Sequence, residues 1–120
     1  MLPPSVKIHV AMSPVDMRKS FDGLAGVVSS VLDRDPLSGH LFVFFNRPGN
    51  LVKVLWWSNG GLCLFAKRLE RGRFRWARPV EAGAQHVEIP AGDLALLLEG
   101  VDLRKTRRQR WWNPTEQRAA

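Results

Sequence analysis

The chain has 120 residues, with 18 Lys and Arg against 11 Asp and Glu, for a formal net charge of +7 at pH 7. This length predicts a single domain that buries a core without disulfides or a structural metal. Cys63 is the single cysteine, which rules out an intramolecular disulfide. The sequence shows no apolar run long enough to span a membrane and no secretory signal, so we expect neither.

The first third of the chain predicts one strand and one helix. Alternation places Val6, Ile8 and Val10 on one face of a strand over Val6–Val10. A helix is expected over Ser13–Leu32, with serine as its cap and proline in its first turn. Apolar residues at helical spacing predict its buried stripe: Met17, Phe21, Leu24, Val28 and Val31.

Four strands are predicted to follow as an antiparallel meander, because the links between them have hairpin length. These strands are Leu41–Phe45, Leu51–Ser58, Leu62–Leu69 and Arg73–Ala77. The first is apolar on both faces, which is typical of a central strand under a helix.

Glycines mark the reversals between these strands. Pro48-Gly49 suits the two central positions of a type II turn, and Asn59-Gly60 suits a primed hairpin turn. Glu70-Arg71-Gly72 is expected to form a third reversal, with Gly72 in a left-handed conformation.

The last elements are a short strand, His86–Ile89, and a helix over Ala91–Glu99 opened by Pro90. Leu94, Leu97 and Leu98 form the expected buried face, and Gly100 ends the helix. The predicted fold class is therefore a single α+β domain over residues 1–103, with a mostly antiparallel sheet and two packed helices. Residues 104–120 are predicted to be a basic, mobile tail.

The stretch Lys67–Arg78 is the main candidate for binding nucleic acid, because a basic domain fits such a partner. On a returning strand Arg73 and Arg75 would face outward while Phe74 and Trp76 pack inward. DNA is thus the first predicted partner. The predicted DNA-binding residues are Lys67, Arg68, Arg71, Arg73, Arg75, Arg78, Arg104, Lys105, Arg107, Arg108 and Arg110. The alternative is that these arginines only solvate an exposed hairpin and protect an edge strand.

Tryptophan pairs supply a second candidate surface. Trp56 and Trp57 are neighbours on a predicted strand, so they point to opposite faces, and one of them can stack on a base or a partner. Packing in the core is the alternative for both. In the tail, Trp111-Trp112 follows five cations, which suits an arm that folds onto nucleic acid or a solvated tail.

The sequence lacks the residue patterns that are typical of catalytic and metal sites. His9, His40 and His86 are far apart in sequence, so we expect no metal site. The carboxylates lack the spacing of a two-metal centre, and no phosphate-binding glycine loop occurs. We therefore expect a protein without a cofactor that is not an enzyme.

Several motifs resemble one protein family. Asp35–Phe44, Lys53–Trp57 and Gly61–Phe74 are similar to the TnpB accessory protein of the IS-sixty-six family of bacterial insertion sequences, which is the second-frame product. Asp16–Leu24 and Leu94–Asp102 extend the resemblance upstream and downstream.

This resemblance implies a role supporting transposition in the bacterial cytoplasm, with the element's separate transposase as a further partner. We therefore expect a non-catalytic accessory protein that binds DNA, the transposase or both. One alternative is a protein-interaction module of the transposition complex that never touches DNA. A small nuclease is the other, and it would need carboxylates converging in a cleft.

Overall fold

The computed structural model describes residues 5–76 and 83–104. Its elements in chain order are β1 (Ile8–Ala11), α1 (Phe21–Ser30), β2 (Leu41–Phe45), β3 (Leu51–Ser58), β4 (Gly61–Arg68), β5 (His86–Ile89) and α2 (Ala91–Leu98). The strands form one five-stranded sheet in the order β4-β3-β2-β1-β5. Among these described strands, β1 and β2 are the only parallel pair. The predicted α+β class and the mostly antiparallel sheet are confirmed.

Strand β2 lies at the centre of the sheet and is buried along its whole length, as its two apolar faces predict. One side of the sheet, the α1 face, packs against α1 through Leu24 and Val28, which contact a core that includes Phe42 and Phe44. The other side, the α2 face, packs against α2 and the chain segments around Phe74 and Leu103. Its core residues are Ile8, Val10, Leu41, Val43, Phe45, Val52, Val54, Phe74, Trp76, Ile89, Leu94, Leu97 and Leu103.

The predicted start of the first helix is wrong, because α1 begins at Phe21 rather than near Ser13. Asp16 accepts a hydrogen bond from the backbone amide of Arg18, 2.9 Å away, which makes a local turn. The ammonium of Lys53 also occupies the carbonyls of Met17 and Lys19, both at 2.9 Å. These carbonyls are therefore committed to a lysine from β3.

The later start of α1 also changes its buried stripe. Leu24 and Val28 are fully buried, as predicted, whereas Phe21 is 45% exposed and Val31 is 46% exposed. Leu32, just beyond the helix, is buried in place of Val31.

The hairpin turns follow the glycines. Asn59 and Gly60 both have positive φ, at 49° and 84°, which confirms the primed turn between β3 and β4. Gly49 has φ of 80° as expected, but its amide bonds to the Asn46 carbonyl at 3.1 Å. The closed turn is therefore Asn46–Gly49, one residue earlier than predicted, with Arg47 and Pro48 at its centre.

The last helix ends as its sequence predicts. The amide of Gly100, with φ of 86°, bonds to the Leu97 carbonyl, and the amide of Val101 bonds to the Leu96 carbonyl, both at 3.0 Å. This is a Schellman motif, which requires a left-handed residue just past the helix. Within the described part of the chain, no helix is long and apolar enough to cross a membrane.

Candidate nucleic-acid interface

The segment Arg73–Trp76 crosses the α2 face without joining the sheet, so the predicted strand Arg73–Ala77 is wrong over these residues. The Phe74 amide donates to the Gly49 carbonyl, and the Arg75 carbonyl accepts from the Leu103 amide, both at 2.8 Å. These single bonds to two different loops replace the ladder that a strand would form.

The predicted alternation of side chains along this segment is nevertheless present. Phe74 and Trp76 are each only 7% exposed. Their ring centroids lie 5.7 and 5.9 Å from that of Phe45 on β2. Arg73 and Arg75, between these two anchors, are exposed. The buried rings thus hold the backbone in place and present two guanidinium groups to solvent.

Arg104 brings a third cation to this surface. Its guanidinium pairs with the Asp102 carboxylate, with Nη2 at 2.9 Å from Oδ2 and Nε at 3.0 Å from Oδ1. These hydrogen bonds, together with the positive charges of Arg104 and Arg75, lower the pKa of Asp102 to about 2. Arg75 and Arg104 therefore flank one carboxylate, and the three groups together carry a net positive charge.

We call Arg71, Arg73, Arg75 and Arg104 the basic surface. Arg71 is exposed in the loop that precedes Arg73, where Gly72 has φ of 78° as predicted. Arg47 is a neighbour that the sequence analysis missed. It is exposed in the Asn46–Gly49 turn, which lies against the side chain of Arg73 at Gly49.

Two of the predicted cations lie elsewhere. The ammonium of Lys67 donates to the Leu98 carbonyl at 2.6 Å, so this half-buried side chain stabilises the C-terminus of α2. Arg68 is exposed and pairs with Leu51 on β3. Because neighbouring residues on a strand point to opposite faces and Lys67 is on the α2 face, Arg68 is on the α1 face. Within the described residues, the basic hairpin predicted over Lys67–Arg78 is therefore not formed as a single outward-facing unit.

The remaining predicted site residues are the two strand tryptophans and several cations outside the described residues. Trp56 is half-buried against the α2-face core, and Trp57 is half-buried at the opposite parity. The cations outside the described ranges are Arg78, Lys105, Arg107, Arg108 and Arg110.

The fold gathers the three histidines that are distant in sequence. His9 is fully buried on the α1 face, with its Nδ1 3.2 Å from Nδ1 of His86. Its ring lies edge-on to that of His40, at 5.8 Å between centroids, and is stacked on Phe42 at 5.4 Å. Only the pairing of β1 with both β2 and β5 creates this cluster, so no local pattern could have indicated it.

The hydrogen bonds assign the tautomers in this cluster. Arg34 Nε donates to His86 Nε2 at 3.4 Å, so His86 carries its proton on Nδ1 and donates it to His9 Nδ1. His9 then carries its proton on Nε2, which is buried without a hydrogen-bond partner among the described residues. Burial, followed by the charges of His86 and Arg34, lowers the pKa of His9 to about 4.

Across residues 5–76 and 83–104, no group of three or more His, Cys, Asp or Glu side chains is arranged to hold a metal ion. The arrangement of the basic surface suits electrostatic contact with an anionic polymer. Guanidinium groups bind phosphates through charge and hydrogen bonds, so this contact needs no catalytic residue.

Comparison with known proteins identifies the family. A family model described as "IS66 Orf2 like protein" matches residues 6–108. Two proteins of Sinorhizobium fredii (strain NBRC 101917 / NGR234) are similar over nearly their full lengths. "Uncharacterized protein y4hO" is 45% identical over 112 residues, 93% of each chain. "Uncharacterized protein y4jC" is 35% identical over 111 residues, 92% of each chain. No solved structure matches significantly.

Because the family model covers residues 6–108, the chain belongs to the IS66 Orf2-like family of insertion-sequence accessory proteins.

Proposed function

We propose that this protein is a non-catalytic accessory factor of transposition that binds DNA through the basic surface. The observation that carries the proposal is the display of Arg73 and Arg75 between two buried aromatic anchors, Phe74 and Trp76. Because the backbone between the anchors is held by bonds to Gly49 and Leu103, the backbone of Arg73 and Arg75 starts from a fixed position. A residue on a held backbone loses less entropy on binding than one on a free loop.

The chemistry of this surface favours the DNA backbone over base edges. Arg73 and Arg75 lie on an irregular segment rather than along a helix or a strand pair that could enter a groove. Phosphate contacts from such a surface position a protein on a duplex without reading its sequence. We therefore expect the basic surface to supply affinity with little sequence preference.

The test is the affinity of the full chain for duplex DNA, with and without the ends of the parent element, across a salt series. Binding that weakens steeply with salt supports phosphate contact, because each neutralised phosphate releases counterions. A preference for the element's ends would add sequence recognition beyond the basic surface. Absence of binding even at low salt would contradict the proposal.

A second candidate function is contact with the transposase, and an apolar groove on the α2 face favours it. This groove has a volume of about 220 Å³, and the residues that line it are Leu41, Val54, Trp56, Phe65, Leu94 and Leu98. Trp56 lies in the groove and Phe65 at its outer side is 40% exposed. Association with purified transposase that survives nuclease treatment, in a protein that fails to bind DNA, would favour this function.

A further inference from the structure

The two edges of the sheet differ in their protection against pairing with another strand. The β5 edge is short, at four residues, carries Glu88 and is followed by Pro90. The β4 edge has eight residues, with no proline and an unbroken register against β3. Its central residues, Leu62–Ala66, carry no charge. Short length, charge and proline are the usual devices that block edge pairing, and the centre of β4 has none of them.

The hairpin between β3 and β4 fixes which backbone groups of β4 point outward. Its two-residue turn makes Ser58 and Gly61 a hydrogen-bonded pair, and such pairs alternate along an antiparallel ladder. Gly61, Cys63 and Phe65 therefore bond toward β3. Leu62, Leu64 and Ala66 point their amides and carbonyls away from the sheet, and no described backbone group bonds to them.

Within β4, the cation on the α2 face is directed away from the edge. Lys67 is held by the Leu98 carbonyl of α2 at 2.6 Å, so its ammonium cannot cover the strand. The side chains along the edge are apolar on both faces. Leu62 and Leu64 border the α1-face core, while Phe65, at the opposite parity, is 40% exposed beside the apolar groove.

We propose that β4 pairs antiparallel with β4 of a second copy of this chain, joining the two sheets into one across a twofold axis at Leu64. In this register Leu64 faces the partner's Leu64, and Leu62 exchanges both backbone hydrogen bonds with the partner's Ala66. Cys63 lies opposite the partner's Phe65 as a close, non-hydrogen-bonded pair.

The charges and the exposed ring of β4 are compatible with this register. Centring the axis on Leu64 places Lys67 opposite the partner's Gly61 and Arg68 opposite the partner's Gly60, so no like charges meet. The same register covers the exposed ring of Phe65 with the partner's Cys63. A second copy is the occupant that fits, since the outward strand is self-complementary in both hydrogen bonds and side chains.

The first test is the oligomeric state of the full chain by sedimentation equilibrium over a concentration series, for wild type, Ala66→Pro and Ala66→Thr. Proline is tolerated in an edge strand where the amide faces solvent, so Ala66→Pro removes only the outward donor. Two inter-strand bonds related by the twofold axis are lost, and we expect dimerisation to weaken roughly 30-fold. Ala66→Thr keeps the donor and should dimerise like wild type.

The second test is the register, probed by Phe65→Cys under mild oxidation on a non-reducing gel. The new thiol would lie opposite the partner's Cys63, within disulfide reach, and we expect rapid formation of a covalent dimer. Wild type is the control, because in this register its Cys63 is only a diagonal neighbour of the partner's Cys63 and should not cross-link.

A wild-type protein that is monomeric at every concentration overturns the proposal. A dimer that Ala66→Pro leaves intact, and that Phe65→Cys fails to cross-link, would lie on another surface and overturns it equally. If Ala66→Pro does not fold, which circular dichroism would show, the cross-linking of Phe65→Cys decides. Weakening by Ala66→Pro without cross-linking would keep the β4 edge but overturn the register.

Discussion

Trp76 stacks on Phe45, with ring centroids 5.9 Å apart and 27° between the ring planes. This contact ties an irregular segment to the central strand of the sheet. Because Arg75 precedes Trp76 and its carbonyl accepts the Leu103 amide, the same contact also locates the basic surface.

Truncating this anchor should destabilise the fold. Trp76→Ala removes a side chain that is only 7% exposed, and we expect a loss of about 3 kcal/mol or more in the free energy of unfolding. Urea unfolding followed by circular dichroism measures it. Trp76→Phe retains a ring against Phe45 and should cost clearly less. Equal stability of Trp76→Ala and wild type would show that the stacking is not formed.

The sequence analysis predicts that Lys67 binds DNA, whereas in the structure its ammonium bonds to α2. Because its ammonium bonds to the Leu98 carbonyl, Lys67→Gln should lower stability by about 1 kcal/mol. It should leave the salt dependence of DNA binding unchanged. Chemical denaturation and a salt titration on one variant measure both effects. A flatter salt dependence would place Lys67 on the DNA after all.

The histidine cluster predicts that acid destabilises the protein. Burial, then the charges of His86 and Arg34, lower the pKa of His9 from 6.5 to about 4, so the unfolded chain binds this proton more readily than the folded one. The stabilisation is complete above pH 6.5 and is lost as pH falls toward 4. Its upper bound is about 3 kcal/mol.

Unfolding free energies measured between pH 7 and pH 4 test this prediction. His86 contributes in the same direction, since burial and the charge of Arg34 lower its pKa too, while Glu88 opposes both shifts. His9→Leu should flatten the profile without abolishing it. A profile that is already flat in the wild-type protein would contradict a buried neutral His9.

Replacing each of two glycines with alanine should have opposite effects on the stability of the protein. A Cβ on Gly26 in α1 meets no atom within 4 Å, so Gly26→Ala should stabilise the protein by about 1 kcal/mol through helix propensity. Gly100 has φ of 86° in the Schellman motif, so Gly100→Ala should destabilise it by about 1 kcal/mol. Thermal unfolding of both variants measures the contrast. A destabilising Gly26→Ala would mean that α1 packs more closely than described.

Local patterns in the sequence predicted the strands well, because alternation and turn chemistry are local. The bounds of β2, β3 and β5 agree with the prediction, and so do the positive φ angles of Asn59 and Gly60. Alternation also placed Phe74 and Trp76 inside and Arg73 and Arg75 outside, although the segment is not a strand.

The features that the sequence analysis did not predict arise from contacts between distant parts of the chain. The parallel pairing of β1 with β2, the bond from Lys67 to Leu98 and the meeting of His9 with His86 each join residues remote in sequence. The prediction of where α1 starts was wrong for the same reason, since the ammonium of Lys53 on β3 bonds to the carbonyls of Met17 and Lys19.

The most direct test of the proposed function compares the salt dependence of duplex DNA binding in two double variants of equal charge. Arg73→Gln with Arg75→Gln alters the basic surface. Arg18→Gln with Lys19→Gln removes two exposed cations near the start of α1, on the other side of the sheet. The first variant should lower the slope of log affinity against log salt by about 2, and the second should leave it near the wild-type value. Equal slopes in both variants would contradict DNA binding through the basic surface.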